Sequence, residues 1–202
     1  MKITQWKGSP GFGAIAMAFL AVMVSAPALA VDVETIVDPE VDGEERFEAV
    51  QNAAELGAEA VEPLAVHLDA ENVVIRRAAR QALESIVHHA GRPQADEEQR
   101  AVARALAECL DDEHTVAVRR EVLHLLAWCA DHREVEAIAP WLEDPELVDA
   151  ACYALVANPS RASVRALVNA LDRVEDEASR TSIIHALAQK ANAATEPLTG
   201  SE

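Results

Sequence analysis

A ten-residue segment that recurs in altered form is the feature that most constrains the fold of this chain. Val74 to Leu83 reads VIRRAARQAL, and related segments end at three further leucines, Leu126, Leu155 and Leu187. These leucines lie roughly 30 to 40 residues apart, a period typical of proteins built from stacked helical units.

A second pattern accompanies the first, because a leucine followed by an acid precedes each repeated segment. These pairs are Leu68-Asp69, Leu110-Asp111, Leu142-Glu143 and Leu171-Asp172. Each unit is therefore predicted to be a helix, a short acidic turn and a second helix. Acids near the start of the second helix oppose its positive end, and Asp can cap its free amides.

The apolar periodicity predicts nine helices. One covers 44–56 and ends at Gly57, and a break at Gly91 and Pro93 follows the first pair. The predicted pairs are 58–69 with 73–89, 96–110 with 114–130, 133–142 with 145–157, and 160–172 with 176–190.

Stacking is expected because one such helix pair cannot bury its own apolar face, whereas consecutive pairs can bury theirs against each other. The chain is 50% hydrophobic but only 3% aromatic, and it has seven glycines, a composition that favours closely packed helices. The predicted fold class is all-α, an α-solenoid forming a right-handed superhelix of about four to five helix pairs.

The run LGAEAVEPLAVHLDAENVVIRRAARQALESI resembles a HEAT repeat, in the short bacterial form of the phycobilisome lyases. The resemblance covers about residues 45–190. It implies a polar ladder in which an Asp of the turn pairs with an Arg of the second helix. The matching pairs are Asp69 with Arg76, Asp111 with Arg119, and Asp172 with Arg180. The third unit departs from this pattern, because Val148 stands where the Arg is expected.

The N-terminal segment 1–30 is predicted to be a signal peptide. Lys2 and Lys7 precede an apolar run from Ala14 to Val24, which is too short to span a membrane, and Ala28 and Ala30 form a small-x-small cleavage pattern. Cleavage is expected after Ala30, with export to the periplasm or the medium of a bacterium; an uncleaved anchor is the alternative. An acidic flexible linker is predicted over 31–44, and a loosely ordered tail over 191–202.

Helical geometry separates core positions from exposed ones in each second helix. Core residues are expected four and one before the final leucine, at it, and three after. The opposite side is expected to line a concave surface that binds a partner. The predicted binding residues on this surface are Arg77, Gln81, Arg120, His124, Tyr153 and His185. The alternative interpretation is that these are ordinary solvated positions.

Motifs of the common catalytic and nucleotide sites are absent from the sequence. It has no P-loop, no Gly-rich dinucleotide fingerprint, no Gly-x-Ser-x-Gly and no Cys-x-x-Cys. Cys109, Cys129 and Cys152 are interpreted as buried small apolar residues, with a disulfide between two of them as the alternative. The net charge of −18 opposes binding to nucleic acid or to anionic lipid.

The leading functional hypothesis is a non-enzymatic scaffold that binds a protein or peptide on its second-helix surface. No cofactor, metal, nucleic acid or membrane partner is expected after signal cleavage. Two alternatives stay open: a lyase-like accessory or chaperone subunit that cradles a cofactor-bearing partner, and a spacer in a cell-envelope assembly.

Overall fold

The computed structural model describes residues 32–195, and every regular element in that range is a helix. The α-helices are α1 (Val33–Val37), α2 (Gly43–Asn52), α3 (Val61–Ala65), α4 (Val73–Ala90), α5 (Asp96–Glu108), α6 (Val116–Cys129), α7 (Val135–Ile138), α8 (Val148–Ala157), α9 (Arg161–Leu171) and α10 (Glu177–Thr195). Two 3-10 segments, Ala53–Ala60 and Ala139–Leu142, precede α3 and follow α7.

Four helix pairs stack in chain order and form two layers. The second helices of the pairs are α4, α6, α8 and α10, and each packs on the next one along the chain. The first helices, around α3, α5, α7 and α9, form the other layer in the same order. This arrangement confirms the predicted all-α solenoid within the described residues.

One continuous apolar core runs between the two layers. Leu83, Leu126 and Leu155, the repeated leucines of the first three pairs, are fully buried, and Leu187 is partly buried. The other predicted core positions of α4 and α6 are buried as well. A helical period of 3.6 residues therefore identified the buried stripe correctly.

Local residue chemistry explains where the helices begin and end. Asn72 Oδ1 accepts a hydrogen bond from the Val74 N–H at 2.9 Å at the start of α4. Gly57 introduces a kink within the segment Ala53–Ala60 before α3, with φ +64°, a conformation open to glycine because it lacks Cβ. Pro140 has no N–H, and the predicted helix 133–142 continues as a 3-10 turn around it.

The segment predicted as a flexible linker is partly helical. Within 32–44 the chain forms α1, and the Ile36 side chain is fully buried against the core. Arg46 in α2 donates hydrogen bonds to the carbonyl oxygens of Ile36 and Asp38, which anchors this segment on the first repeat. The flexible-linker prediction was wrong for 33–37, where Val33, Ile36 and Val37 pack on the core but form only about one helical turn, too short a stretch to give a clear periodic signal.

The structure tests the predictions for the two ends of the chain only in part. The last helix continues to Thr195, five residues beyond its predicted end, and so includes the start of the predicted loose tail. Residues 1–31 and 196–202 lie outside the described residues, so the signal peptide and the rest of the tail remain predictions.

The predicted polar ladder takes a different form at its first and last positions. Arg76 donates to the carbonyl oxygen of Ala70 at 2.7 Å, and Arg180 donates to those of Leu171 and Val174 at 2.5 and 3.0 Å. Each guanidinium is thus directed to backbone oxygens rather than to Asp69 or Asp172. The carbonyls at a helix end lack partners within the helix, so they are available as acceptors.

At the middle position the charged groups connect neighbouring repeats. Arg119 lies 3.2 Å from Asp112 rather than pairing with Asp111, and its guanidinium stacks 4.4 Å from the ring centroid of Trp141 in the third repeat. Asp111 instead lies 2.8 Å from Nδ1 of His114. The three arginines of the predicted ladder therefore contact backbone carbonyls, Asp112 and the Trp141 ring rather than their predicted Asp partners.

A candidate peptide-binding cleft on the second helices

A half-open cleft of about 570 Å³ lies between the second helices of the first three repeats. We call it the aromatic cleft. Its lining residues come from α4, α6 and α8: Arg80, Glu84, Val87, His88, Glu121, His124, Leu125, Trp128 and Tyr153.

Two edge-to-face ring pairs form its walls. His88 and Trp128 have centroids 5.4 Å apart and an interplanar angle of 75°, and they join α4 to α6. His124 and Tyr153 have centroids 5.5 Å apart at 84°, and they join α6 to α8. His124 and Trp128 are four residues apart on α6, so both point from the same face of that helix.

The walls are exposed and the floor is buried. Trp128 is 62% exposed and Tyr153 is 50% exposed, whereas Val87 and Leu125 beneath them are buried. Large aromatic side chains left open above an apolar floor offer contact area to a partner at low cost in side-chain entropy.

The charges in the cleft are two carboxylates and one guanidinium. Arg80 forms an ion pair with Glu121 on the next helix and lies 3.4 Å from Glu84 on its own helix. Exposed pairs of this kind contribute little to stability. The guanidinium offsets only one of the two carboxylates, so the cleft as a whole carries a negative formal charge.

A smaller pocket of about 240 Å³ continues this surface between α8 and α10. Tyr153 borders both cavities, and Asp149, Ser182, His185 and Gln189 provide the polar lining of the second one. The exposed surface of the second helices is thus grooved over all four repeats, with Tyr153 at the division.

The structure brings together three of the six predicted binding residues. His124 and Tyr153 lie in the aromatic cleft, and His185 lies in the adjoining pocket. Arg77 and Gln81 are exposed on α4 outside both cavities. Arg120 donates to the carbonyl oxygen of Glu146 at 3.1 Å and does not line the cleft. Their proposed role in binding stays a prediction.

Sequence reasoning missed Trp128, His88, Arg80 and Glu121. The prediction used the same helical positions in every repeat, but α4 borders the cleft with a different part of its surface from α6. Trp128 could have been identified from the sequence, because it lies two residues after the core residue Leu126 and therefore outside the buried apolar stripe of α6.

The three cysteines are chemically unreactive in this structure, although Cys152 borders the smaller pocket. All are free and buried, and burial raises the pKa of each thiol to about 12. A protonated thiol is a poor nucleophile and metal ligand. Among residues 32–195, no group of three or more His, Cys, Asp or Glu side chains is arranged to hold a metal ion.

No helix in the same range is both long and apolar enough to cross a bilayer. No protein-family model matches the chain, and no curated protein matches it.

Solved structures similar to the chain include a designed armadillo repeat protein in complex with the peptide (KR)4. It is 18% identical, with a TM-score of 0.40, and the match covers 78% of this chain and 79% of that one. An engineered protein is 19% identical, with a TM-score of 0.38 and coverage of 80% and 79%. Another designed armadillo repeat protein is 14% identical, with a TM-score of 0.29 and coverage of 78% and 98%. These values are low, and the solenoid assignment rests on the packing of this chain's own helices.

Proposed function

We propose that this protein is an exported, non-enzymatic repeat scaffold of HEAT-like type that binds an extended segment of a partner protein in the aromatic cleft. The single observation that carries the proposal is the cleft itself, with its two ring pairs spanning three consecutive second helices. Export rests on the predicted leader, and the HEAT-like assignment rests on the sequence pattern.

The chemistry of the cleft favours a segment with a basic side chain. A Lys or Arg side chain could lay its alkyl stem on Val87 and Leu125 and bring its charge close to Trp128 and Tyr153. Cations are attracted to the faces of aromatic rings, most strongly to tryptophan. Glu84 and Glu121 add carboxylate acceptors at the same site.

The charge of the whole chain supports the same choice of partner. A net charge of −18 attracts a basic segment over long range and repels acidic competitors. That attraction raises the rate of encounter but gives little specificity, so the aromatic contacts are the part of the proposal that needs a test.

The test compares two variants with matched exposure. A fluorescein-labelled decapeptide of alanines with three arginines is the probe, and a peptide with glutamates in place of the arginines is its control. Trp128→Ala is expected to weaken binding of the arginine peptide about tenfold, the scale of one cation–π contact. Phe47→Ala is the control variant, because Phe47 is 63% exposed on α2 and lies outside the cleft.

Fluorescence anisotropy at about 150 mM salt reports the affinities, because at this ionic strength long-range attraction is largely screened. Equal affinity of the wild type and Trp128→Ala for the arginine peptide would mean that the peptide binds only by non-specific charge attraction, and would contradict the proposal. Tighter binding of the glutamate peptide would contradict the choice of a basic partner.

A further inference from the structure

The distal face of the last repeat, the side of α9 and α10 that faces away from the third repeat, leaves apolar side chains exposed at positions that are buried earlier in the chain. Val164 on α9 lies seven residues before Leu171, and the equivalent residues are Val61, Ala103 and Val135. Those three are at most 4% exposed, whereas Val164 is 39% exposed.

Two further positions show the same contrast. Val168 is 47% exposed, whereas the equivalent Ala65 is fully buried and the equivalent Ala107 and Ala139 are partly buried. On α10, Ile184 is 51% exposed, whereas the equivalent Leu123 and Cys152 are buried under the next second helix. In α4 the equivalent residue is Arg80, which contacts the next helix through its ion pair to Glu121.

The distal face therefore has the apolar character of an interface between repeats, and within residues 32–195 no further repeat covers it. Val164 and Val168 are four residues apart and form one stripe on α9, and Leu171 and Leu187, which are partly buried, extend the apolar surface. Because the equivalent face of every earlier repeat packs on another helix pair, we expect a helical surface to cover this one.

The opposite end of the solenoid cannot supply that occupant in a second copy. There α1 and α2 cover the first repeat, with Ile36 fully buried and Arg46 holding α1 in place. A head-to-tail array would have to displace them. Of the two ends of the solenoid described by residues 32–195, only the distal one has an uncovered apolar face on a second copy, and pairing the two distal faces gives a two-fold, tail-to-tail contact.

The charge distribution permits this contact. Residues 159–195 contain five Lys or Arg and four Asp or Glu, in a chain whose net charge is −18. The distal repeat is thus nearly neutral, and joining two copies there keeps their acidic parts far apart. We propose that the protein forms a dimer in which the distal faces, centred on Val164, Val168 and Ile184, pack against each other.

Sedimentation equilibrium of the purified protein between about 1 and 100 μM, a range suited to weak specific association, tests the dimer. The wild type is expected to approach twice the monomer mass as concentration rises. Ile184→Arg should weaken the association about a hundredfold, because it places like charges across the two-fold axis. Ile184 is exposed, so this change should leave the helical circular dichroism intact.

A matched control has its substitution at the other end of the molecule. Val74→Arg changes a residue that is 55% exposed on α4 and should leave the association unchanged. Equal weakening by Ile184→Arg and Val74→Arg would mean that added charge acts without regard to position, and would overturn the proposal.

The geometry has its own test. Ile184→Cys introduces an exposed thiol, whereas the three native cysteines are buried. A short bismaleimide reagent should therefore link position 184 of one copy to position 184 of the other. A dimer that gives no such product would overturn the two-fold arrangement. A monomer at every concentration would overturn the dimer, and shielding of the new thiol in that monomer would indicate that residues 196–202 cover the face.

Discussion

The hydroxyl of Thr115 donates a hydrogen bond to Oδ2 of Asp69 at 2.7 Å. Thr115 is the N-cap of α6, and its oxygen also accepts from the Val118 N–H at 3.3 Å. The residue that begins the second helix of one repeat is therefore bound to the turn of the repeat before it, and helix capping is coupled to stacking.

This coupling predicts non-additive effects on stability. Asp69→Ala removes the contact between repeats, whereas Thr115→Ala removes both that contact and the cap and should cost about 1 kcal/mol more than a surface change. Urea unfolding of both single variants and the double variant should give a coupling energy of about 0.5 kcal/mol or more. Strictly additive losses would mean that the two residues act independently.

Leu126 is the residue at which a large loss of stability is expected. It is fully buried in the core, so Leu126→Ala should lower the free energy of unfolding by about 2–5 kcal/mol. Val66→Ala is a suitable comparison, because Val66 is half exposed and should change stability by less than about 1 kcal/mol. Similar losses for the two variants in urea unfolding would contradict the burial described here.

Acid should weaken the start of α10 through Asp176. This carboxylate accepts from the N–H and the hydroxyl of Ser179, both at 2.7 Å, and these bonds hold its pKa below the ordinary value. A lowered folded-state pKa gives stability that is present above about pH 4 and is lost as pH falls through the folded pKa.

Asp176→Asn removes that titrating charge and leaves a residue that can still cap the helix. The wild type is expected to exceed the variant in stability at pH 7, and the difference should shrink below about pH 4. Unfolding curves at pH 7 and about pH 3 measure both differences. If the wild type exceeds Asp176→Asn in stability by the same amount at pH 7 and at about pH 3, the stabilisation does not come from the Asp176 charge.

The buried thiols should be inert in the folded protein. Because burial raises the pKa of Cys109, Cys129 and Cys152 to about 12, Ellman's reagent at pH 8 should react slowly with the native protein. In denaturant all three should react at once. Rapid release of even one equivalent from the native state would place a thiol at the surface.

The repeated leucines were sufficient to predict the helix pairs and most of the core. A period of 3.6 residues forces Leu83, Leu126 and Leu155 onto the same side as their apolar neighbours, whatever the chain packs against. Asp69, Arg76 and Arg180 behaved differently. A polar side chain takes whichever partner lies within reach, so its hydrogen bonds depend on the final distance between elements.

The same distinction applies to the candidate site. His124, Tyr153 and His185 could be selected from helical position alone, since those positions turn away from the core. The pairing of Trp128 with His88 could not be predicted in this way, because it requires the actual offset between α4 and α6.

The sequence by itself determined that this chain forms stacked helix pairs with one shared apolar seam, because helical periodicity is a local property of the residues. Only the tertiary structure decided where the rings of the aromatic cleft meet, which carbonyls the arginines bind, and that the distal face is left uncovered. These features depend on how neighbouring helices are displaced and rotated relative to each other, and no residue spacing along the chain encodes that directly.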